Sequence, residues 1–263
     1  MPNRIDRKFA ALRAQGHKGF IAYIAAGDPT LAATKSLAVA FEKIGVDVLE
    51  LGVPFSDPLA DGIVNQLASQ RALDAGATVH GVLDLIREIR RESQIPIVLY
   101  TYVNPVYKYG FAEFHRDAEA AGVDGLLILD LPPEEDCAEF VNHGGMKRIR
   151  LIAPTTPLER IRTITAKADG FIYYVSREGV TGEQASVASS LAERVAEIRK
   201  STTLPIAVGF GVSNPDHVRE IAQSADAVVV GSAIVKRIAE HGQTPDLVER
   251  VVEFVEPLVK ALL

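Results

Sequence analysis

The sequence predicts an α/β protein folded as a single (β/α)8 barrel, the TIM barrel, with an extra helix before the first strand. Three observations carry that prediction. Eight short apolar runs rich in β-branched residues alternate with longer amphipathic segments. Those runs are apolar almost throughout, as parallel strands covered on both faces are. The chain has 263 residues, and eight β/α units take about 250. A doubly wound open sheet is the alternative that the same alternation allows.

The elements follow in order. Residues 1–17, MPNRIDRKFAALRAQGH, mix charged and apolar residues at helical spacing and lack a signal-peptide core. GFIAYIA (19–25) is the first strand, and TLAATKSLAVAFEKIG (30–45) is helical. VDVLELG (46–52) is the second strand. HGVLDLIREIRRES (80–93) is helical and leads to the third, IPIVLYTY (95–102). DGLLILD (124–130), KRIRLIA (147–153) and GFIYYVS (170–176) are the fourth to sixth. The sixth opens into a long, polar, glycine-bearing loop over 176–189, of the kind that forms a lid. LPIAVGF (204–210) and DAVVVGS (226–232) complete the strands, and 245–263 is a last helix. No Ser/Gly linker, low-complexity tract or composition break divides the chain, so residues 1–263 read as one domain.

Composition narrows the function. The chain is 48% hydrophobic and 24% charged, enough for a large core. Its net charge of −6 argues against a general nucleic-acid or acidic-membrane surface. No apolar run approaches the roughly 20 residues of a membrane helix, and a soluble, cytoplasmic protein is expected. Cys137 is the only cysteine, which excludes an intrachain disulfide and a thiolate metal cluster. The six histidines show no ligand spacing at a strand end, so no metal site is expected. No nucleophile elbow is evident, nor a strand-end lysine for Schiff-base chemistry.

In such a barrel, functional residues lie at the carboxyl ends of strands and in the loops that follow. Glu50 shares a side-chain face with Val46 and Val48 by period two and stands at or near its strand end, so it projects into the barrel mouth. Burial there raises a carboxyl pKa towards neutrality and suits it to proton transfer. An acid paired with a buried cation, or facing solvent, is the plainer alternative. Asp57 and Asp61 follow in the next loop, where Asp57-Pro58 and Asp61-Gly62 are turn signals, leaving turn and chemical roles both open.

Two later loops suit a phosphate. VGFGVSNPDHV (208–218) carries Gly209 and Gly211 before a Ser213 or Asn214 helix cap. In VVVGSAIVKRI (228–238), Gly231 and Ser232 open the next helix. Loops after the seventh and eighth strands with a helix N-terminus are the common barrel phosphate site, tight turns without a ligand being the alternative. Gly182 is placed to approach the same phosphate, and Tyr173 either fills core or reaches the pocket with its hydroxyl.

Nearly end to end, the chain resembles the tryptophan synthase α subunit family. The resemblance runs through AAGDP (25–29), ELGVPFSDPLADG (50–62), YVNP (102–105), LILDLPPEE (127–135), YYVSREGVTG (173–182), GFGVS (209–213) and GSAIVK (231–236). It implies cleavage of indole-3-glycerol phosphate to indole and glyceraldehyde 3-phosphate, with no metal or organic cofactor. By the family pattern, Glu50 is the acid/base that protonates the indole ring carbon and helps deprotonate the glycerol hydroxyl. Asp61 accepts the indole N–H and stabilises positive charge developing there. Tyr173 and Phe210 match pocket aromatics and Thr181 the lid threonine. Gly182, Gly211, Val212, Gly231 and Ser232 match phosphate-side positions. Pro54 and Asp57 face a pyridoxal-phosphate β subunit in an αββα complex.

There are departures. After Asp61-Gly62 the family usually reads Pro, a small residue, Ile and Gln, whereas this chain has Ile63-Val64-Asn65-Gln66. Losing the proline is expected to loosen the loop around Asp61. Tyr23 occupies a pocket position that is Phe in some members, and Tyr100 one that is often aliphatic; both alter how an indole ring packs. A stand-alone lyase, a non-catalytic activator of β and another phosphate-binding barrel enzyme, such as an isomerase of tryptophan or thiamine biosynthesis, are the competing functions.

Overall fold

A computed structural model describes residues 2–135, 144–176, 184–209 and 211–263, with the backbone alone for 184–189. The chain opens with α1 (Arg4–Gln15), β1 (Gly19–Ala25), α2 (Leu31–Lys43) and β2 (Val48–Gly52). Next come α3 (Ile63–Asp74), α4 (Val79–Arg90), β3 (Ile97–Thr101), α5 (Val103–Tyr109), α6 (Phe111–Ala121) and β4 (Gly125–Ile128). The second half holds β5 (Lys147–Arg148), β6 (Arg150–Ile152), α7 (Leu158–Ala166), β7 (Ile172–Val175), α8 (Gln184–Arg199) and β8 (Ile206–Gly209). It ends with α9 (Pro215–Ala222), β9 (Ala227–Val230), α10 (Ser232–His241) and α11 (Leu247–Lys260).

The strands form one parallel sheet in the order β5-β4-β3-β2-β1-β9-β8-β7-β6. Nine strands stand where eight runs were expected, because the fifth run divides at Ile149. Its first two residues pair with β4 and its next three with β7. The two ends of the sheet are thus adjacent in the chain. The ring closes through a bend rather than a continuous ladder, and the bend is the seam of the barrel. Ile149 itself is buried inside the ring, and its N–H still donates to Leu126 O at 2.9 Å.

Alternation along each strand sorts side chains into two cores. Ile21, Val48, Val98, Leu127, Phe171, Ala207 and Val229 fill the barrel interior. Their neighbours, among them Phe20, Leu49, Leu99, Ile172, Val208 and Val228, pack outward against the helices. Val46 belongs to this outer layer and not to the face of Glu50. It precedes the strand, where the two-residue alternation does not yet hold. Helix α1 closes the amino end: Ile5 and Phe9 enter the inner core, and Phe9 lies 5.6 Å from Phe171 between ring centroids. Its start is fixed by a capping box between Asn3 and Asp6.

The amino end also carries a fourfold device. Asp47, Asp124, Asp169 and Asp226 each stand just before a strand, β2, β4, β7 and β9. Each donates its N–H to the carbonyl of a residue on an earlier strand, Phe20 of β1, Ile97 of β3, Arg148 of β5 or Ile206 of β8, at 2.9 to 3.0 Å. Each carboxylate accepts that same residue's N–H in return. Strand-end N–H groups that the ladder leaves open are satisfied this way. Asp124, only 2% exposed, also pairs with Arg90 at 2.8 Å and Arg4 at 3.1 Å. No described helix is long and apolar enough to cross a membrane.

Candidate active site

Glu50 lies in the middle of β2, in register with Tyr23 on β1 and Val98 on β3. It is wholly buried, and among the described residues neither carboxylate oxygen has a hydrogen-bond partner. Desolvation alone pushes its pKa from the ordinary 4.5 up to about 8. The group is therefore protonated at neutral pH: a buried acid with a free proton, facing a cavity.

That cavity, about 250 Å³, opens at the carboxyl end of the barrel. Glu50, Tyr23, Tyr100, Tyr173 and Asn65 line one part of it, and Gly211, Val212, Gly231 and Ser232 another. Tyr23 and Tyr100 meet edge to face, with centroids 5.0 Å apart. Two glycines make room for the phenols. A Cβ on Gly52 would lie 2.4 Å from Tyr23 Oη, and one on Gly209 would lie 2.5 Å from Tyr173 Oη. Two helix N-termini meet the glycine side of the cavity. Asn214 caps α9 by accepting the N–H of His217 at 3.0 Å, and α10 opens at Ser232 behind Gly231. Open N–H groups at helix N-termini favour an anion.

Asp61 is joined to this cavity through Tyr100, one of its lining residues. Its Oδ1 accepts the Tyr100 hydroxyl at 3.0 Å and its Oδ2 the Tyr102 hydroxyl at 2.7 Å. Asn65, one helical turn further on, adds to the polar surroundings of the same carboxylate. Burial raises the Asp61 pKa, and the two phenols, with Asn65 nearby, work against the rise. Asp61 N–H donates to Pro58 O at 3.0 Å, and Gln66 Nε2 to Asp61 O at 2.8 Å. Hydrogen bonds hold the residue where ring geometry does not, and Ile63 stands exposed in the proline's place.

Pro54 and Asp57 point elsewhere. Asp57 is exposed, whereas Pro54 is buried at the edge of a separate groove of about 310 Å³ with Phe55, His80, Pro105, Lys108 and Tyr109. Thr181, Gly182 and Phe210, with the rest of 177–183 in the expected lid, lie outside the described residues. Sequence reasoning missed Tyr102 and Asn65. Period two sends Tyr100 and Tyr102 to one face, so the spacing YTY held a signal for the first. Asn65 carried a fainter one, as a polar residue where the resemblance has an apolar one. No three His, Cys, Asp or Glu side chains stand together as a metal site among the described residues.

Comparisons with known proteins place the chain in a family. The family model described as tryptophan synthase alpha chain matches residues 9–262. The tryptophan synthase alpha chain of Opitutus terrae is 52% identical over 93% of this chain and 92% of its own length. That of Geobacter sulfurreducens is 48% identical over 99% of each. The crystal structure of tryptophan synthase subunit alpha from Legionella pneumophila superposes with a TM-score of 0.90 at 36% identity, covering 100% of this chain and 99% of that one. With a match that spans the barrel from its first helix to its last, the chain belongs to the tryptophan synthase alpha chain family.

Proposed function

We propose that Glu50 and Asp61 share the acid–base work of the family's lyase reaction, in which the alpha chain cleaves indole-3-glycerol phosphate to indole and glyceraldehyde 3-phosphate. The observation that carries this reading is the bare, buried carboxyl of Glu50 in the cavity. Protonated at neutral pH, it gives its proton to the indole ring carbon that bears the glycerol chain. Positive charge then develops on the ring nitrogen, where the Asp61 carboxylate stabilises it. Glu50, now a carboxylate, takes the proton of the hydroxyl on the carbon bonded to the ring. The O–H electron pair becomes the new carbonyl bond, the carbon–carbon bond breaks, and its pair restores the indole. Glu50 ends as it began, so one residue serves both transfers. Each is worth roughly 10²–10⁴-fold in rate.

Tyr23, Tyr100 and Tyr173 form the ring-binding wall in this reading, with Phe210 and Thr181 completing it. The substrate phosphate sits against the N–H groups of Gly211, Val212, Gly231 and Ser232, with Gly182 from the sixth-strand loop. The β subunit is the proposed partner, in an αββα assembly. Its support is the family together with the exposed apolar side chains Leu59, Ile63, Leu67 and Tyr107, on and near the loop that holds Asp57. A partner touching the loop that carries Asp61 biases its conformation, so β binding and activity are coupled. The test is kcat/KM for indole release as cognate β is titrated in. Weak activity alone, rising at least about tenfold, corresponds to about 1.4 kcal/mol of coupling. No indole under either condition overturns the lyase reading, and full activity without response to β favours a stand-alone lyase.

A further inference from the structure

Tyr100 is the fourth residue of β3, in register with Gly52 on β2 and Leu127 on β4. It holds both ends of the loop between β2 and α3. Its carbonyl accepts the N–H of Val53, where the loop leaves β2, at 2.9 Å. Its hydroxyl donates to Asp61 Oδ1, where the loop approaches α3, at 3.0 Å. The ring between these contacts lines the cavity and meets Tyr23 edge to face at 5.0 Å. Two residues on, Tyr102 donates to Asp61 Oδ2 at 2.7 Å and accepts the Ala60 N–H at 3.1 Å. The two phenols grip the two oxygens separately, and together they set the plane of the carboxylate. The bonds from Asp61 N–H to Pro58 and from Gln66 to Asp61 O hold the main chain only. The aim of the side chain is left to the phenols.

We propose that Tyr100 is a positioning residue for the lyase reaction, its hydroxyl fixing Asp61 Oδ1 at the cavity so that the carboxylate meets the indole N–H already aimed. The proposal rests on the Asp61 reading above. An ionised carboxylate offers about four acceptor positions, so two phenols leave it free to accept the ring N–H as well. An acceptor held in place before the reaction needs no reorganisation as positive charge grows on the nitrogen. The same hydroxyl favours the ionised form of Asp61 against burial. The titratable groups around Asp61 are the phenols of Tyr23 on β1, Tyr100 and Tyr102 at the end of β3 and Tyr173 on β7. Glu50 on β2 faces Tyr23 and Tyr173, and Asp130 faces Tyr102. From α3 come Asn65 and Gln66, which carry no charge. Burial keeps all four phenols neutral, and Glu50 keeps its proton up to about 8. The acid limb of the rate profile therefore reports Asp61.

Tyr100→Phe keeps the ring and removes only the hydroxyl. Turnover of indole-3-glycerol phosphate by the full chain should fall about tenfold in kcat, with KM within about threefold of the unaltered value. The acid limb of kcat/KM should move to higher pH, because Asp61 loses a donor that favours its charge. The alkaline limb near 8 should stay. A purely structural role would lower the urea midpoint and leave kcat per folded molecule and both limbs in place, which overturns the proposal. A raised KM with kcat kept would make Tyr100 a wall of the pocket and nothing more, and overturns it too. Asp61→Asn, measured alongside, separates the two readings. If Asp61→Asn is impaired and Tyr100→Phe is not, the positioning role falls and the Asp61 reading stands. If Asp61→Asn turns over like the unaltered chain, the Asp61 reading itself fails.

Discussion

Asp124 and Glu50 are both carboxylates, both nearly sealed from solvent, and they stand at opposite ends of the same barrel. Asp124, at the amino end, accepts a backbone N–H from Ile97 and ion-pairs with Arg90 and Arg4. Glu50, at the other end, has no partner among the described residues. Burial costs the charged form in both places, and the two ends answer that cost differently. At the amino end, donors stabilise the charge and the carboxylate ties adjacent strands together. At the carboxyl end the charge is given up, and an acid with its proton remains. Asp61 lies between these extremes, half-buried and held by two phenol donors. A saturated carboxylate marks structure; an unsaturated one beside a cavity is a candidate for chemistry.

The sharpest way to break this contrast is Glu50→Gln. The amide matches the shape of the acid but cannot transfer its proton, so indole formation should fall on the order of 10⁴-fold. The far-UV circular dichroism should be unchanged. Turnover within about tenfold of the unaltered chain would mean that the bare carboxyl is idle.

Asp124→Ala probes the opposite end. It strands the Ile97 N–H and leaves Arg90 buried without its carboxylate. Removing one partner of such a buried pair costs about 3–5 kcal/mol. Urea unfolding should show that loss, with kcat/KM per folded molecule unchanged. A stable variant with damaged catalysis would reverse the assignment of the two ends.

A smaller effect separates the ends by pH. The native pKa of Glu50, about 8, lies above its ordinary value of 4.5. Between those values the folded chain binds more protons than the unfolded one, so this group's contribution to stability declines as pH rises through the window. Below 4.5 the contribution is complete, and above about 8 it is lost. Burial raises Asp47 and Asp61 as well, but both are present in Glu50→Gln. The difference between the unaltered chain and Glu50→Gln therefore isolates Glu50, and unfolding free energies at several pH values measure it. In the same window, kcat/KM of the unaltered chain should decline on the alkaline side with a midpoint near 8. Parallel stability curves for the two proteins would show that Glu50 does not titrate high.

Much of the barrel was legible from one dimension. The strand runs and the leading helix were read from periodicity and turn residues, whereas Glu50, expected at or near its strand end, stands in the middle of β2. The period-two rule failed where a strand had not begun, at Val46, and the eight-unit count failed at Ile149. There, closure asks one run to follow two neighbours at once. The aspartates of the amino end were visible as letters before four strands, but nothing local says that each carboxylate returns to an earlier strand.

The sequence by itself determined the order and kind of the elements and which end of the barrel carries the candidate chemistry. Those properties depend on residues a few places apart, through alternation, capping and turn preference. Only the tertiary structure decided which carboxylates are answered and which is left bare. Tyr102 reaches Asp61 across 41 residues, and Arg4 reaches Asp124 across 120. The donors that never reach Glu50, and the cavity that Asn65 enters, follow from the same closure of the ring. A charge's partners are set by proximity in space, and the folded barrel alone brings those distant segments together.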